Sequence, residues 1–443
     1  MVLVKMKTAL SLFSCRDAFN LSIRDGWVDY KFQVKFNKYV AGPRFLAILP
    51  AGDMKYRYRQ LYVVDTDGDS RTKLTNNQSE VTEILEWTAD DTVYYIATLP
   101  GDPGARHLHK LRIGQPGGTC LTCHTGCGFV SVTFSPGGSY FSADCKGPGI
   151  PLSTVHRVTD DKAIIQWTDN QKLRQRVSQV QMPRIEFLQV PVPGSDQRAQ
   201  VQLFIPPRNN NSENMPMLVD VYGGPGFQKV DKSWKGYEYA MYMAGALGIV
   251  YAVIDPRGSG FQGDKWRHAV YRKFGSAEVA DTLTVTKYLQ DNLDYVDRKR
   301  TAIWGWSYGG YLSLSALSRD TDGVFSCGAS VAPVVRWELY DTLYTERYMG
   351  RPEDNAAGYN ASTPLWRLEN IRDKKYYLIH GTHDDNVHYQ QSMMLSAALE
   401  EKDILFRQQS YPDQDHSIQD YKKHLYHSLT SFFSQDCFNM NLS

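Results

Sequence analysis

A chain of 443 residues exceeds what one hydrophobic core normally supports and predicts two domains. Its 49 Lys+Arg against 48 Asp+Glu leave a formal net charge of +1, so the charge balance points neither to nucleic acid nor to an anionic membrane as a partner. No apolar run reaches membrane-spanning length: the longest candidate, Met241 to Ile254, is interrupted by Gly245 and Gly248 and reads as a helix end followed by a strand.

From the start, residues 1–7 have some basic character, and residues 8–14 form an apolar stretch at the short end for a signal peptide. The expectation is a chain that begins partway into a larger protein, with no membrane anchor of its own. Residues 1–185 read as all-β. Phe45-Leu-Ala-Ile-Leu49, Gln60-Leu-Tyr-Val-Val64, Val93-Tyr-Tyr-Ile-Ala97 and Val130-Ser-Val-Thr-Phe134 are short β-branched and aromatic runs, with turn chemistry at Asp65-Thr-Asp-Gly68 and Pro136-Gly-Gly138. A weak repeat relates Trp87-Thr-Ala-Asp-Asp-Thr-Val-Tyr-Tyr95 to Phe134-Ser-Pro-Gly-Gly-Ser-Tyr-Phe141, with Phe36-Asn-Lys-Tyr39 as a third copy. The offsets are 51 residues (36 to 87) and 47 (87 to 134), the size of a four-stranded propeller blade. Three to four blades of roughly 45 residues fit in this region. A propeller must close into a ring to bury its edges, so the expectation is part of one, with a β-sandwich as the alternative.

Seven cysteines are informative by position. Cys120, Cys123 and Cys127 could be read as a zinc site, but no fourth ligand follows at its usual spacing, and no metal is expected. Disulfides fit better, as Cys120–Cys123, Cys127–Cys145 and Cys327–Cys437, leaving Cys15 free or paired to something upstream. Sequons at Asn20, Asn77, Asn210, Asn360 and Asn441 agree with a secreted or extracellular, glycosylated chain.

From residue 186 to 443 strands and helices alternate. Residues 185–190 and 199–205 look like a leading antiparallel pair, and 218–222 and 249–254 like buried strands. Val279, Leu283, Thr286 and Leu289 mark one face of a helix. This is the rhythm of a largely parallel sheet. Thr301-Ala-Ile-Trp304 then reads as a buried strand and Tyr311-Leu-Ser-Leu-Ser-Ala-Leu317 as a helix, with Gly305-Trp-Ser-Tyr-Gly309 between them. A G-x-S-x-G turn in that context holds its serine in a strained conformation above the sheet, as in α/β-hydrolases. A serine hydroxyl needs a base to take its proton, and the base needs an orienting acid. The chain order Ser, Asp, His is met by Ser307, by Asp384 after the strand ending at His380 (Asp385 being the nearest rival), and by His416 on a loop before a terminal helix.

Together Asp220-Val-Tyr-Gly-Gly-Pro225, Asp255-Pro-Arg-Gly-Ser-Gly260, Gly305-Trp-Ser-Tyr-Gly-Gly310, Val331-Ala-Pro-Val334, Tyr344-Thr-Glu-Arg-Tyr-Met-Gly350 and His380-Gly-Thr-His-Asp-Asp-Asn-Val-His388 carry a resemblance. The chain resembles the dipeptidyl peptidase IV group of prolyl oligopeptidase-type serine peptidases. The likeness runs through residues 186–443 and, more loosely, back to about residue 27, and it implies a C-terminal α/β-hydrolase domain preceded by a partial β-propeller. It also reaches Thr119-Cys-Leu-Thr-Cys123, whose family counterpart is disulfide-bonded.

The resemblance implies roles residue by residue. Ser307, Asp384 and His416 fall on the charge-relay positions, and Tyr222 and the backbone N–H of Tyr308 on the oxyanion donors. Val334, Trp337, Tyr340, Tyr344 and Val387 fall on a pocket for proline or alanine, an uncharged cage suited to a compact apolar ring. Asn386 falls on a carbonyl-binding asparagine and Arg347 on a nearby substrate-site arginine. The implied activity is release of X-Pro or X-Ala dipeptides from peptide amino termini, without a cofactor and possible as a homodimer. Two departures stand out. Ser417 replaces the glycine after the histidine, and no glutamate pair near residue 1 replaces the family's clamp for the substrate amine; Glu400-Glu401 lies on a hydrolase helix. A less selective peptidase or esterase, or an impaired peptide-binding homologue, is the alternative.

Overall fold

The computed structural model describes residues 2–5, 17–21, 25–28, 33–40, 42–52, 55–66, 70–207, 214–236 and 238–440, with no side-chain account for 2–5 and 17–21. The expectations for Cys15, Asn210 and Asn441, most of the leader segment and the tip of the turn at 65–68 lie outside the described residues, and the side chain of Asn20 is not described. The chain folds as two compact units. One comprises Met1–Gln179, Asp231–Gly236 and Phe261–Trp266; the other comprises Val180–Val230, Tyr237–Gly260 and Arg267–Ser443.

The first unit holds three four-stranded antiparallel meanders. They run Val34–Phe36, Arg44–Pro50, Arg59–Asp65, Arg71–Lys73; then Val81–Trp87, Thr92–Leu99, Asp102–Arg112, Gly118–Cys120; then Phe129–Phe134, Tyr140–Gly147, Leu152–Arg157, Ala163–Thr168. A single parallel pairing, Phe129 with Arg106, joins the second to the third. Period-two alternation explains the stacking. Val93, Tyr95 and Ala97 face Leu46, Ile48, Leu61 and Val63 of the first meander. Tyr94 and Ile96, on the other face of the same strand, meet Val130, Val132 and Phe141 of the third. These are blades packed face to face, and the sequence repeat maps onto the first hairpin of each. Cys120–Cys123 and Cys127–Cys145 are both bonded. His107 lies beside the first pair, close enough that its ring and the two sulfurs form a three-member cluster. Sulfurs joined to each other are not thiolates, so this cluster is not a ligand set for zinc.

The second unit is built on an eight-stranded sheet. Its order is Arg184–Pro191, Arg198–Ile205, Val250–Asp255, Met215–Val221, Val296–Trp306, Cys327–Val331, Lys375–Gly381, Arg407–Tyr411. Arg198–Ile205 pairs antiparallel with both its neighbours, and the other pairings are parallel. The central strands read as unbroken apolar runs because both faces are covered. On one face Ala302, Trp304, Ala329, Val331, Tyr377 and Ile379 pack with Leu425, Leu429, Phe432 and Phe433 of the C-terminal helical segment. Cys327–Cys437 ties that segment back to a central strand across a sequence separation of 110. Helix Ala277–Asn292 buries Val279, Val285, Thr286 and Leu289. Leu283, expected on that face, is only half-buried, because Thr282 and Val285 take the inward positions. The interrupted segment after Met241 resolves as helix Tyr239–Leu247, stopped by Gly248 in a left-handed conformation at φ 70°, then strand Val250–Asp255.

Candidate active site

Parallel strands gather their C-terminal ends on one edge of a sheet, and the loops leaving that edge are where such folds place chemistry. Here Met215–Val221 delivers Tyr222, Val296–Trp306 delivers Ser307, Cys327–Val331 leads to Val334, Lys375–Gly381 leads to Asp384, and Arg407–Tyr411 leads to His416. The nucleophile strand runs on to Trp306 and the following helix opens at Tyr308, so Ser307 alone makes the turn. Its φ of 62° and ψ of −120° are strained for a residue with a β-carbon. Its backbone N–H donates to the Val331 carbonyl at 2.8 Å, and its carbonyl accepts from Tyr311 N–H at 3.0 Å. Glycine is required on both sides of it. A β-carbon on Gly305 would lie 2.2 Å from the Gly309 carbonyl oxygen, and one on Gly309 would lie 2.3 Å from that of Val221.

The candidate acid is set by burial and hydrogen bonding. Asp384 is buried, whereas its rival Asp385 is exposed. Asp384 Oδ1 accepts the backbone N–H groups of Asn386 and Val387, each at 2.9 Å. Its Oδ2 accepts from His416 Nδ1 at 2.6 Å and from His380 Nε2 at 3.1 Å. Burial disfavours the ionised carboxyl, but the hydrogen bonds from His380 and His416 outweigh it and hold its pKa well below the usual carboxylate range. Donation from Nδ1 leaves His416 Nε2 free to act as a base. The histidine loop sits directly on the acid strand. Thr382 N–H donates to the Tyr411 carbonyl and His383 N–H to that of Gln414, at 2.9 and 3.0 Å. A β-carbon on Gly381 would meet the Gln414 carbonyl oxygen at 2.3 Å. Trp306, the residue before the nucleophile, donates its indole N–H to the His416 carbonyl at 3.0 Å, which brings the histidine loop against the elbow.

An aromatic cluster adjoins the elbow. Trp337 lies 5.4 Å from the Tyr308 ring, 5.7 Å from Tyr340 and 6.1 Å from Tyr344, the last nearly parallel. Tyr340 and Tyr344 meet edge-on at 5.3 Å, and the Tyr340 hydroxyl donates to Asn386 Oδ1 at 2.7 Å. Val334 and Val387 are buried, and Arg347 is half-buried one turn beyond Tyr344 on helix Thr342–Met349. Tyr222 stands 6.1 Å from Tyr308 and 4.4 Å from Phe227, ring to ring. Burial raises the Tyr222 phenol pKa, so it stays protonated and able to donate.

Sequence reasoning passes over several residues that the fold brings here. His380 reads along the chain only as the last residue of a strand; a histidine closing an otherwise apolar run is the available signal, since such a ring must find partners. Phe274 packs on Tyr308 and Trp337, at 5.3 and 4.7 Å. Glu278, fully enclosed on helix Ala277–Asn292, accepts from the Tyr308 hydroxyl at 3.1 Å. Nothing local to its sequence marks that acid as lying beneath the elbow.

A sheet that presents a strained serine, followed in chain order by a buried aspartate bonded to histidine, belongs to the α/β-hydrolases of the serine type. Residues 235–440 match the prolyl oligopeptidase family, and residues 3–152 match the N-terminal region of dipeptidyl peptidase IV. By these matches the chain is dipeptidyl peptidase IV-like. It is 37% identical over 430 residues to venom dipeptidyl peptidase 4 of Vespa velutina, covering 94% of this chain and 54% of the relative. With dipeptidyl peptidase 4 of Bos taurus it is 40% identical over 393 residues, covering 86% and 50%. The crystal structure of Porphyromonas gingivalis dipeptidyl peptidase 4 superposes with a TM-score of 0.81 at 30% identity, covering 89% of this chain and 55% of that one. The chain thus spans about half the length of the curated relatives it matches.

Proposed function

We propose that this chain hydrolyses peptide bonds following proline or alanine through an acyl-enzyme on Ser307, releasing X-Pro or X-Ala dipeptides from free amino termini. The observation that carries the reading is the 2.6 Å bond from His416 Nδ1 to buried Asp384, on a loop tied through Trp306 to the strained serine. In this reading His416 takes the Ser307 proton as Oγ attacks the scissile carbonyl, and Asp384 holds the ring in one tautomer and stabilises the imidazolium. The Tyr222 hydroxyl and the Tyr308 N–H receive the developing oxyanion charge. His416 then protonates the departing amine. Water, deprotonated by the same ring, attacks the ester carbonyl, and His416 passes that proton to Ser307 Oγ as the ester bond breaks. Trp337, Tyr340, Tyr344, Val334 and Val387 would enclose the proline ring, with Asn386 and Arg347 at the substrate carbonyls.

Specificity for a free amine is the finer part of the proposal. Relatives named prolyl endopeptidase FAP, 38% identical over 393 residues in Bos taurus, give the endopeptidase reading a specific basis. The three disulfides suit an oxidising, extracytoplasmic setting, and exposed Asn77 and Asn360 are the described sequons open to glycosylation there. A homodimer belongs to the same proposal, and sedimentation of the purified chain reads it directly.

A fluorophosphonate probe should label Ser307, and Ser307→Ala should abolish labelling and turnover; labelling at another residue overturns the assignment. Gly-Pro-amide reporters cleaved far faster than their amine-blocked counterparts would support dipeptide release. Equal rates would replace it with endopeptidase action.

A further inference from the structure

Asp384 carries two imidazoles on one oxygen, and only one of them has a task in the mechanism above. His380 is the penultimate residue of strand Lys375–Gly381, four residues before the aspartate, and its side chain is 1% exposed. Its Nε2 stands 3.1 Å from Asp384 Oδ2 and 2.8 Å from the Val387 carbonyl oxygen. Both are acceptors, so Nε2 must carry a hydrogen. At the other side of the ring, Nδ1 lies 2.6 Å from the Ser392 hydroxyl, which can donate to it and leave His380 neutral. Tyr389 closes the ring edge-on at 5.5 Å. Asp384, His416 and Tyr389 are the titratable groups around it, and the ring has no freedom to leave the carboxylate.

We propose that His380 is a positioning residue for the catalytic pair, acting through Asp384 and resting on the assignment of Ser307, Asp384 and His416 given above. A carboxylate oxygen has two lone-pair directions. With Oδ1 occupied by two backbone N–H groups and one side of Oδ2 by His380, the remaining direction is the one His416 uses. The carboxylate plane is thereby fixed, so the 2.6 Å bond forms without a search. His380 also withdraws charge from Oδ2, and this limits how strongly Asp384 stabilises the His416 imidazolium. Without it the carboxylate becomes more basic and holds that proton more firmly. A ring serving only to fill the core would be replaceable by any side chain of its volume.

The experiment compares wild type, His380→Leu (volume kept, donor lost) and His380→Gln, whose amide can place a donor near Nε2. Turnover of a Gly-Pro-amide reporter is normalised to fluorophosphonate-titrated sites, and the downfield His416 Nδ1 proton is followed by NMR. In His380→Leu kcat per site should fall roughly tenfold or more, with KM changed less than about twofold. The acidic limb of kcat/KM should move up by about half a pH unit and the downfield resonance should shift. His380→Gln should restore both. An unmoved pH limb together with an unmoved resonance overturns the proposal, as does failure of His380→Gln to restore them. Should His380→Leu not fold, Ser392→Ala releases the far side of the ring and must move the same resonance, or the proposal fails. If wild type itself turns nothing over, the proposed function falls, while the resonance still decides the role of His380.

Discussion

The indole N–H of Trp306 donates to the backbone carbonyl of His416, 110 residues further along the chain. One hydrogen bond thus joins the residue before the proposed nucleophile to the residue that carries the proposed base. The Lys422 ammonium covers the same indole at 4.1 Å from the ring centroid, so the contact is closed on that side.

Replacing Trp306 with Phe removes the donor and keeps an aromatic ring in place. A single hydrogen bond contributes about 1 kcal/mol net, so kcat should fall roughly five- to tenfold while KM changes little. The rate of fluorophosphonate labelling should fall in parallel, because it needs the same base. Labelling at the wild-type rate would mean that the histidine loop is held without this bond.

Tyr222→Phe tests the oxyanion assignment. The ring retains its packing on Phe227 and Tyr308, so the thermal midpoint should stay within a degree or two of wild type. Loss of one oxyanion donor typically lowers kcat by about 10²–10³. Steady-state kinetics beside a melting curve decides it, since a large loss of stability with a small loss of kcat would make the hydroxyl structural.

Glu278 carries a pH dependence of stability. Burial is the largest influence and raises its pKa from 4.5 to about 7, against the opposing hydrogen bonds from Gly275 N–H and the Tyr308 hydroxyl and the charge of Arg319. Its Oε2 has no hydrogen-bond partner among the described residues. Between these two pH values the folded chain keeps a proton that the unfolded chain releases. Stability from this group is therefore fully present below about pH 4.5 and is lost as pH rises to about 7, by about 3 kcal/mol at most. Glu278→Gln cannot ionise, and denaturant titrations from about pH 4.5 to 8 should show wild type falling relative to the variant. Parallel curves would place the titration elsewhere.

The elbow is legible along the chain because its requirements are local. A buried strand, a serine between two glycines and a following helix are all set within about twenty residues, and the close approaches at Gly305 and Gly309 are contacts within that turn and its neighbouring strand. Blade spacing is legible for a related reason, since each meander repeats one alternation of inward and outward side chains. The helix face at Leu283 comes out differently from its periodicity because packing partners decide which of two adjacent stripes turns inward.

By itself the sequence determined which chemistry is available: a serine on a turn that strains it, and an aspartate and a histidine in the order a hydrolase sheet requires. Only the tertiary structure decided that Asp384 and not Asp385 receives His416, that His380 shares the same oxygen, and that Glu278 lies under Tyr308. Those relationships join residues on different strands and loops. They depend on burial and on which lone pair faces which donor, quantities that exist only once the sheet has brought its strand ends together.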